Sequence, residues 1–221
     1  MTALVITGTG TGVGKTVVTA AIAALAPSVT VVKPAQTGVT ADEPADVQEV
    51  VRRAGAHVRT VELVRYPDPL AHEAAARRSG LPPLTCDEVV AAVRACHTDV
   101  VLVEGAGGLL VRFSPTGLTL ADIAAALDAP VLVVVSAGLG TLNTTALTLE
   151  ALATRGLSCR GLVIGCWPQE PDLAARSNIV DLRAMAPLLG AVPAGAGGHP
   201  RDWLAPDLGG TFDADRFAAQ W

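Results

Sequence analysis

The sequence has no basic run. Its 16 Lys and Arg are outnumbered by 21 Asp and Glu, for a net charge of −5. Nucleic acid calls for a clustered positive face, so that class of partner is set aside, and an anionic ligand would need individual lysines and a metal cation. No apolar stretch reaches the roughly 20 residues that span a bilayer, and no basic segment precedes the first apolar run as in a secretory signal. No membrane partner is expected. The four cysteines, Cys86, Cys96, Cys159 and Cys166, form no Cys-x-x-Cys pair and have no histidine at zinc spacing. They read as reduced thiols of a cytoplasmic protein. The chain shows no internal repeat and no linker long enough to divide it, so one domain over residues 1–221 is expected.

Half of the residues are hydrophobic and 17% are charged, the balance of a well-packed globular chain. Apolar runs at 4–7, 29–33, 100–104, 131–136, 162–165 and 188–192 predict strands. Several are continuous rather than alternating, the pattern of strands covered on both faces in a parallel sheet. Helical patterns at 14–26, 46–55, 85–96, 119–127, 141–154 and 172–185 lie between them. The alternation predicts an α/β fold: a doubly wound, mostly parallel sheet with helices on both faces. Its ligands would sit at the carboxyl ends of the strands. The Gly- and Pro-rich stretch 193–210 reads as a loop before a short helix near Phe212–Gln220.

The first strand runs into GTGTGVGKT, residues 8–16, and then an Ala-rich helix. Strand, glycine turn and helix in that order form a phosphate cradle of backbone N–H groups at a positive helix end. This makes the fold P-loop NTPase-like. Gly12, Val13, Gly14, Lys15, Thr16 and Val17 are candidate nucleotide contacts, with Lys15 on the outer phosphates and the Thr16 hydroxyl on Mg²⁺. The usual pattern would put its first glycine at position 9; Gly8 stands one residue early, so the loop is a variant.

Other strand ends carry further candidates. Lys33 closes the second strand, where it can neutralise charge on a transferring phosphoryl group, and Pro34 is expected to end the ladder. The polar segment 38–45 reads as mobile. Asp46 opens the next helix, as an N-cap or a metal ligand. Glu104 ends the third strand in the position of a metal-binding acid, followed by Gly105, Ala106 and Gly107. A second glycine turn, 138–143, includes Gly140 and Asn143, whose N–H groups could hold a carboxylate or simply cap the helix.

These segments, GTGTGVGKT at 8–16, KPAQTG at 33–38, VEGAGG at 103–108 and GLGTLN at 138–143, together resemble the dethiobiotin synthetase family. The likeness covers the first two thirds of the chain by residue and the last third by pattern. It implies a Mg-ATP-dependent ligase of biotin biosynthesis that carboxylates 7,8-diaminopelargonate with CO₂. The carbamate is then phosphorylated, and the second amine closes a cyclic urea. It implies catalytic roles for Lys15 and Lys33, a Mg²⁺ site from Thr16, Asp46 and Glu104, and substrate contacts from Thr37, Gly140 and Asn143. It also implies a homodimer with the site at its interface, the substrate tail being held partly by the second subunit.

Three departures from the family pattern stand out. Gly10 replaces an Asp frequent in the loop. The family's Pro-His segment is here Pro69-Leu70-Ala71-His72-Glu73, and His72 is expected at the surface without a role. The strand near 162–165 lacks the Asn that reads adenine; Gly165 and Cys166 stand there, with Pro193, Ala194 and Gly195 as a second wall for the base. Relaxed preference among nucleoside triphosphates follows. Two other readings compete. An amidotransferase-type synthetase of the cobyrinate group would need a glutaminase domain that this length does not hold. A partitioning or division ATPase would carry an extra lysine early in the loop, where Thr9, Gly10 and Thr11 stand, and a basic face or amphipathic tail.

Overall fold

The computed structural model describes residues 1–40 and 42–196. Seven strands alternate with helices: β1 (Thr2–Gly8), α1 (Lys15–Leu25), β2 (Val29–Thr37), α2 (Asp46–Ala54), β3 (Arg59–Tyr66), α3 (His72–Ser79) and α4 (Cys86–Arg94). Then follow β4 (Val100–Gly108), α5 (Leu120–Leu127), β5 (Val131–Val135), α6 (Thr141–Thr154), β6 (Cys159–Trp167), α7 (Leu173–Met185) and β7 (Leu188–Pro193). The strands lie in the order β3-β2-β4-β1-β5-β6-β7, and every pair is parallel. This is the doubly wound sheet the alternating pattern demands.

The continuous apolar runs have their cause in two cores. Along β1, Leu4 and Ile6 join the core beneath α1 and α2, while Val5 joins the opposite core with α4, α5 and α7. In β5, Val131, Val133 and Val135 face one side, and Leu132 and Val134 the other. A strand covered on both faces has no polar side to show, and its side chains still alternate between faces.

Several expectations need correction. The sequence reading missed β3 and α3. β3 is an edge strand; its residues Arg59, Glu62 and Arg65 interrupt the apolar signal, and Arg65 Nε donates to Glu62 Oε1 at 2.7 Å. Pro34 does not end β2. It ends only the pairing with β4, which runs from Val29 to Val32; on the other side β2 pairs with β3 as far as Thr37. A missing donor interrupts one edge of a strand, and the other edge continues. Asp46 is the first residue of α2, not its cap: Ala45 caps it, and its N–H donates to Gln48 Oε1 at 2.7 Å. The helix expected near 212–220 and the loop beyond residue 196 lie outside the described residues. No described helix is long and apolar enough to cross a membrane.

The order of the sheet fixes where chemistry can occur. Chain winding goes one way from β1 to β2 and β3, returns to β4 beside β1, and then continues to β5, β6 and β7 on the other side. The reversal lies around β1, and the carboxyl ends there open into a crevice.

Candidate active site

The glycine turn after β1 holds two left-handed residues, Gly12 at φ 75° and Gly14 at φ 98°. Gly14 caps α1, so the free N–H groups of the first helical turn face the crevice mouth. Gly14 has a second constraint: a Cβ there would fall 2.4 Å from the Gly165 carbonyl oxygen. The matching Cβ on Gly165 would fall 2.0 Å from the Val13 oxygen. The phosphate loop thus lies backbone to backbone on the end of β6.

Behind the loop, β2, α2 and β4 converge on one buried ammonium, and α1 joins them through Glu104. Lys33 of β2 is 1% exposed. Its Nζ donates to Asp46 Oδ2 at 2.5 Å, to Glu104 Oε1 at 2.8 Å and to the Gly105 carbonyl at 3.4 Å. Thr16 Oγ1 donates to the same Glu104 Oε1 at 3.0 Å. Gln36 sets the entry of α2: its Oε1 accepts from the Asp46 N–H at 3.2 Å. Burial works against the Lys33 charge, yet the charges of Glu104 and Asp46 and the hydrogen bonds to them prevail and raise its pKa. This lysine is a fixed cation of the interior, not an edge residue reaching for solvent.

Lys15 is placed differently. Its Nζ donates to the Gly10 carbonyl at 2.9 Å. Burial and then the charge of Lys33 lower its pKa from 10.5 to about 8, against the pull of Glu104 and Asp46. Two buried ammonium groups, near enough that one lowers the other's pKa, suit a polyanion. Glu104 supplies the counterpart: it is 1% exposed, and its Oε2 is buried without a partner. A carboxylate oxygen left unmet at that depth, beside a threonine hydroxyl and the half-exposed Asp46, is a donor set that fits a hard cation such as Mg²⁺.

The crevice is a cavity of about 680 Å³. Of the residues expected there, Gly12, Gly14, Lys15, Thr16, Val17, Lys33, Thr37, Asp46, Ala106 and Gly107 line it. Glu104 and Gly105 reach it through Lys33. Val13 packs against Gly8 and Gly165 instead.

A family model described as an AAA domain matches residues 2–197. The ATP-dependent dethiobiotin synthetase BioD of Streptomyces avermitilis is 60% identical over 99% of this chain and 98% of its own length. That of Frankia casuarinae is 57% identical over 100% and 99%. The chain belongs to the dethiobiotin synthetase family. It is an enzyme of the ligase class. Solved structures show the fold more widely. The MinC:MinD cell division complex of Aquifex aeolicus aligns with TM-score 0.60 at 17% identity, over 100% of this chain and 97% of that one. A ParA family ATPase of Chlorobium tepidum aligns with TM-score 0.54 at 12% identity, over 87% and 83%. At those identities the likeness is one of architecture, the P-loop NTPase-like sheet.

Within this family framework the remaining expected residues fall elsewhere. Gly165 and Cys166 lie just before the end of β6, Cys166 being exposed; Pro193 ends β7, and the Ala194 N–H donates to the Trp167 carbonyl at 2.6 Å, with Gly195 following. None of the five lines the crevice. Gly140, at φ 92°, caps α6, and Asn143 is exposed in its first turn; neither lines the crevice of its own chain. Asn178 of α7 holds that turn from beneath, donating to the carbonyls of Ala137 and Gly138 at 2.8 and 3.0 Å.

One expectation fails outright. His72 is not at the surface: it is 2% exposed, stacked on Phe113 and part of the crevice wall. Sequence reasoning also missed Thr11, Gln36, Leu70 and Val111 as lining residues. Thr11 and Gln36 sit inside motifs already singled out. Leu70 comes from the loop between the unseen β3 and α3, and Val111 from the loop between β4 and α5.

Proposed function

We propose that the chain is an ATP-dependent dethiobiotin synthetase. The observation that carries this is near end-to-end identity with synthetases of that name, and the two-lysine crevice suits the chemistry. One amine of 7,8-diaminopelargonate adds to CO₂, losing a proton and becoming a carbamate. A carbamate oxygen attacks the γ-phosphorus and ADP leaves. The second amine then attacks the carbamoyl carbon, the bond to phosphate breaks, and the cyclic urea and inorganic phosphate depart with loss of a proton.

No side-chain nucleophile is needed; the protein supplies position and charge. The N–H groups of the 12–16 turn and Lys15 hold the triphosphate. Lys33 holds negative charge at the carbamate and γ-phosphate, and Thr37 hydrogen-bonds the carbamate or the diamine. Thr16, Asp46 and Glu104 would hold Mg²⁺, which neutralises phosphate charge when bound. The base is met near Gly165, Cys166 and 193–195, where Gly165 stands in place of the amide that ends this strand in the family pattern, so CTP and GTP compete with ATP. Gly140 and Asn143, remote from their own crevice, serve the carboxylate tail of substrate bound by a second copy in a homodimer. Mass spectrometry of the product from diaminopelargonate, bicarbonate, Mg²⁺ and ATP tests the reading. Dethiobiotin is expected; nucleotide hydrolysis without it would overturn the proposal.

A further inference from the structure

His72 has no part in the scheme above, yet its surroundings point to a ligand. The ring is fixed from one side by Phe113, with centroids 4.4 Å apart and planes inclined by 22°. The start of α3 is tied to the same segment, the Glu73 N–H donating to the Arg112 carbonyl at 3.2 Å. The residue lines the cavity together with Lys33, Gln36 and Thr37. Both ring nitrogens are buried, and neither has a hydrogen-bond partner.

A neutral imidazole carries one donor and one acceptor. Leaving both unmet at this depth disfavours the empty crevice relative to one holding a polar ligand. Burial and the charge of Lys33 lower the His72 pKa to about 4, so the ring stays neutral near pH 7. Asp46 and Glu104 hold Lys33, and Gln36 Oε1 accepts from the Asp46 N–H. Glu104 Oε2 is unpartnered, but it belongs to the donor set that would hold a cation. Lys15 and Lys33 can only donate. An amine entering this end of the crevice needs an acceptor that is not already spent.

We propose that His72 is a substrate-contacting residue whose imidazole hydrogen-bonds the substrate nitrogen that is carboxylated, beside Lys33 and Thr37. The inference rests on the synthetase reading and adds to it a determinant for the diamine. A neutral acceptor receives an amine N–H without the charge pairing that would favour the unreactive ammonium.

The test uses His72→Phe, which keeps the ring stacked on Phe113 and removes both nitrogens, and His72→Gln, which restores a donor and an acceptor. With nucleotide and bicarbonate saturating, His72→Phe should raise the KM for diaminopelargonate about tenfold. The KM for ATP should stay unchanged, and His72→Gln should recover part of the loss. Nitrogen-15 NMR of the wild-type His72 ring gives a readout independent of the variants: its shifts should move on addition of diaminopelargonate. Wild-type turnover with an unchanged diamine KM in His72→Phe, or ring shifts indifferent to the diamine, would overturn the assignment while leaving the synthetase reading intact. Absence of dethiobiotin from the wild-type reaction would overturn both.

Discussion

The two halves of the sheet end differently. On the β2, β4 and β1 side charged side chains stand where the apolar runs stop: Lys33 and Glu104, each midway along its strand, and the loop of Lys15 and Thr16, with Glu104 shared between Lys33 and Thr16. On the β5, β6 and β7 side the carboxyl ends carry no charged side chain but have a glycine close by: Gly138 and Gly195 just past β5 and β7, and Gly165 two residues before the end of β6. The contrast teaches a division of labour. Phosphoryl chemistry needs fixed charge, which must be carried on side chains and buried among partners. A nucleotide base or a carboxylate tail can be met by backbone N–H and C=O groups at a turn.

Breaking the charged half should have the largest effect. Lys33→Ala is expected to lose turnover about a hundredfold or more while still binding nucleotide, as measured by steady-state kinetics beside equilibrium binding. The same variant leaves buried Glu104 without its counter-ion, so its melting temperature in EDTA should fall, by the equivalent of about 3–5 kcal/mol. Mg²⁺ should restore part of it. A variant that kept wild-type turnover would make Lys33 structural.

The backbone half should break differently. Gly165→Ala places a Cβ against the Val13 oxygen, whereas one on Gly10 would meet nothing within 4 Å. Gly165→Ala should therefore cost about 1–3 kcal/mol of stability and weaken nucleotide binding, both legible in thermal melts with and without ATP. Gly10→Ala should do neither. Equal effects of the two would deny that loop and strand end are packed backbone to backbone.

A titration separates the two lysines. The Lys15 pKa lies near 8, below its usual 10.5, and that of Lys33 is raised. Lys15 is about half protonated near pH 8 and loses its remaining charge above it, so nucleotide affinity should fall as pH rises from 8 towards 9.5, by at most about tenfold per unit. Binding in that range should take up a proton, measurable by calorimetry in buffers of different ionisation enthalpy. The smallest contrast is among bases: kcat/KM for ATP, CTP and GTP should lie close together, and strong ATP selectivity would place a side-chain reader on the backbone half.

How much of this was legible in the sequence follows the same division. The charged half announced itself because Lys33, Glu104 and GKT sit at the ends of unbroken apolar runs, and the topology alone brings such ends together. β3 was hidden because an edge strand tolerates Arg59, Glu62 and Arg65 and so loses its apolar signature. With β3 unseen, nothing placed the segment that follows it over the crevice, and His72 read as a surface residue. The packing of Gly14 on Gly165 was equally out of reach, since it joins positions about 150 residues apart that share no pattern.

The central idea is that a buried pair of ammonium groups directs a carbamate oxygen onto the γ-phosphate. Oxygen-18 bicarbonate in a short reaction follows that atom directly. Inorganic phosphate from the wild-type reaction should carry one oxygen derived from CO₂ for each ring closed, with the labelled product nearly abolished in Lys33→Ala. Unlabelled phosphate released alongside dethiobiotin would contradict it.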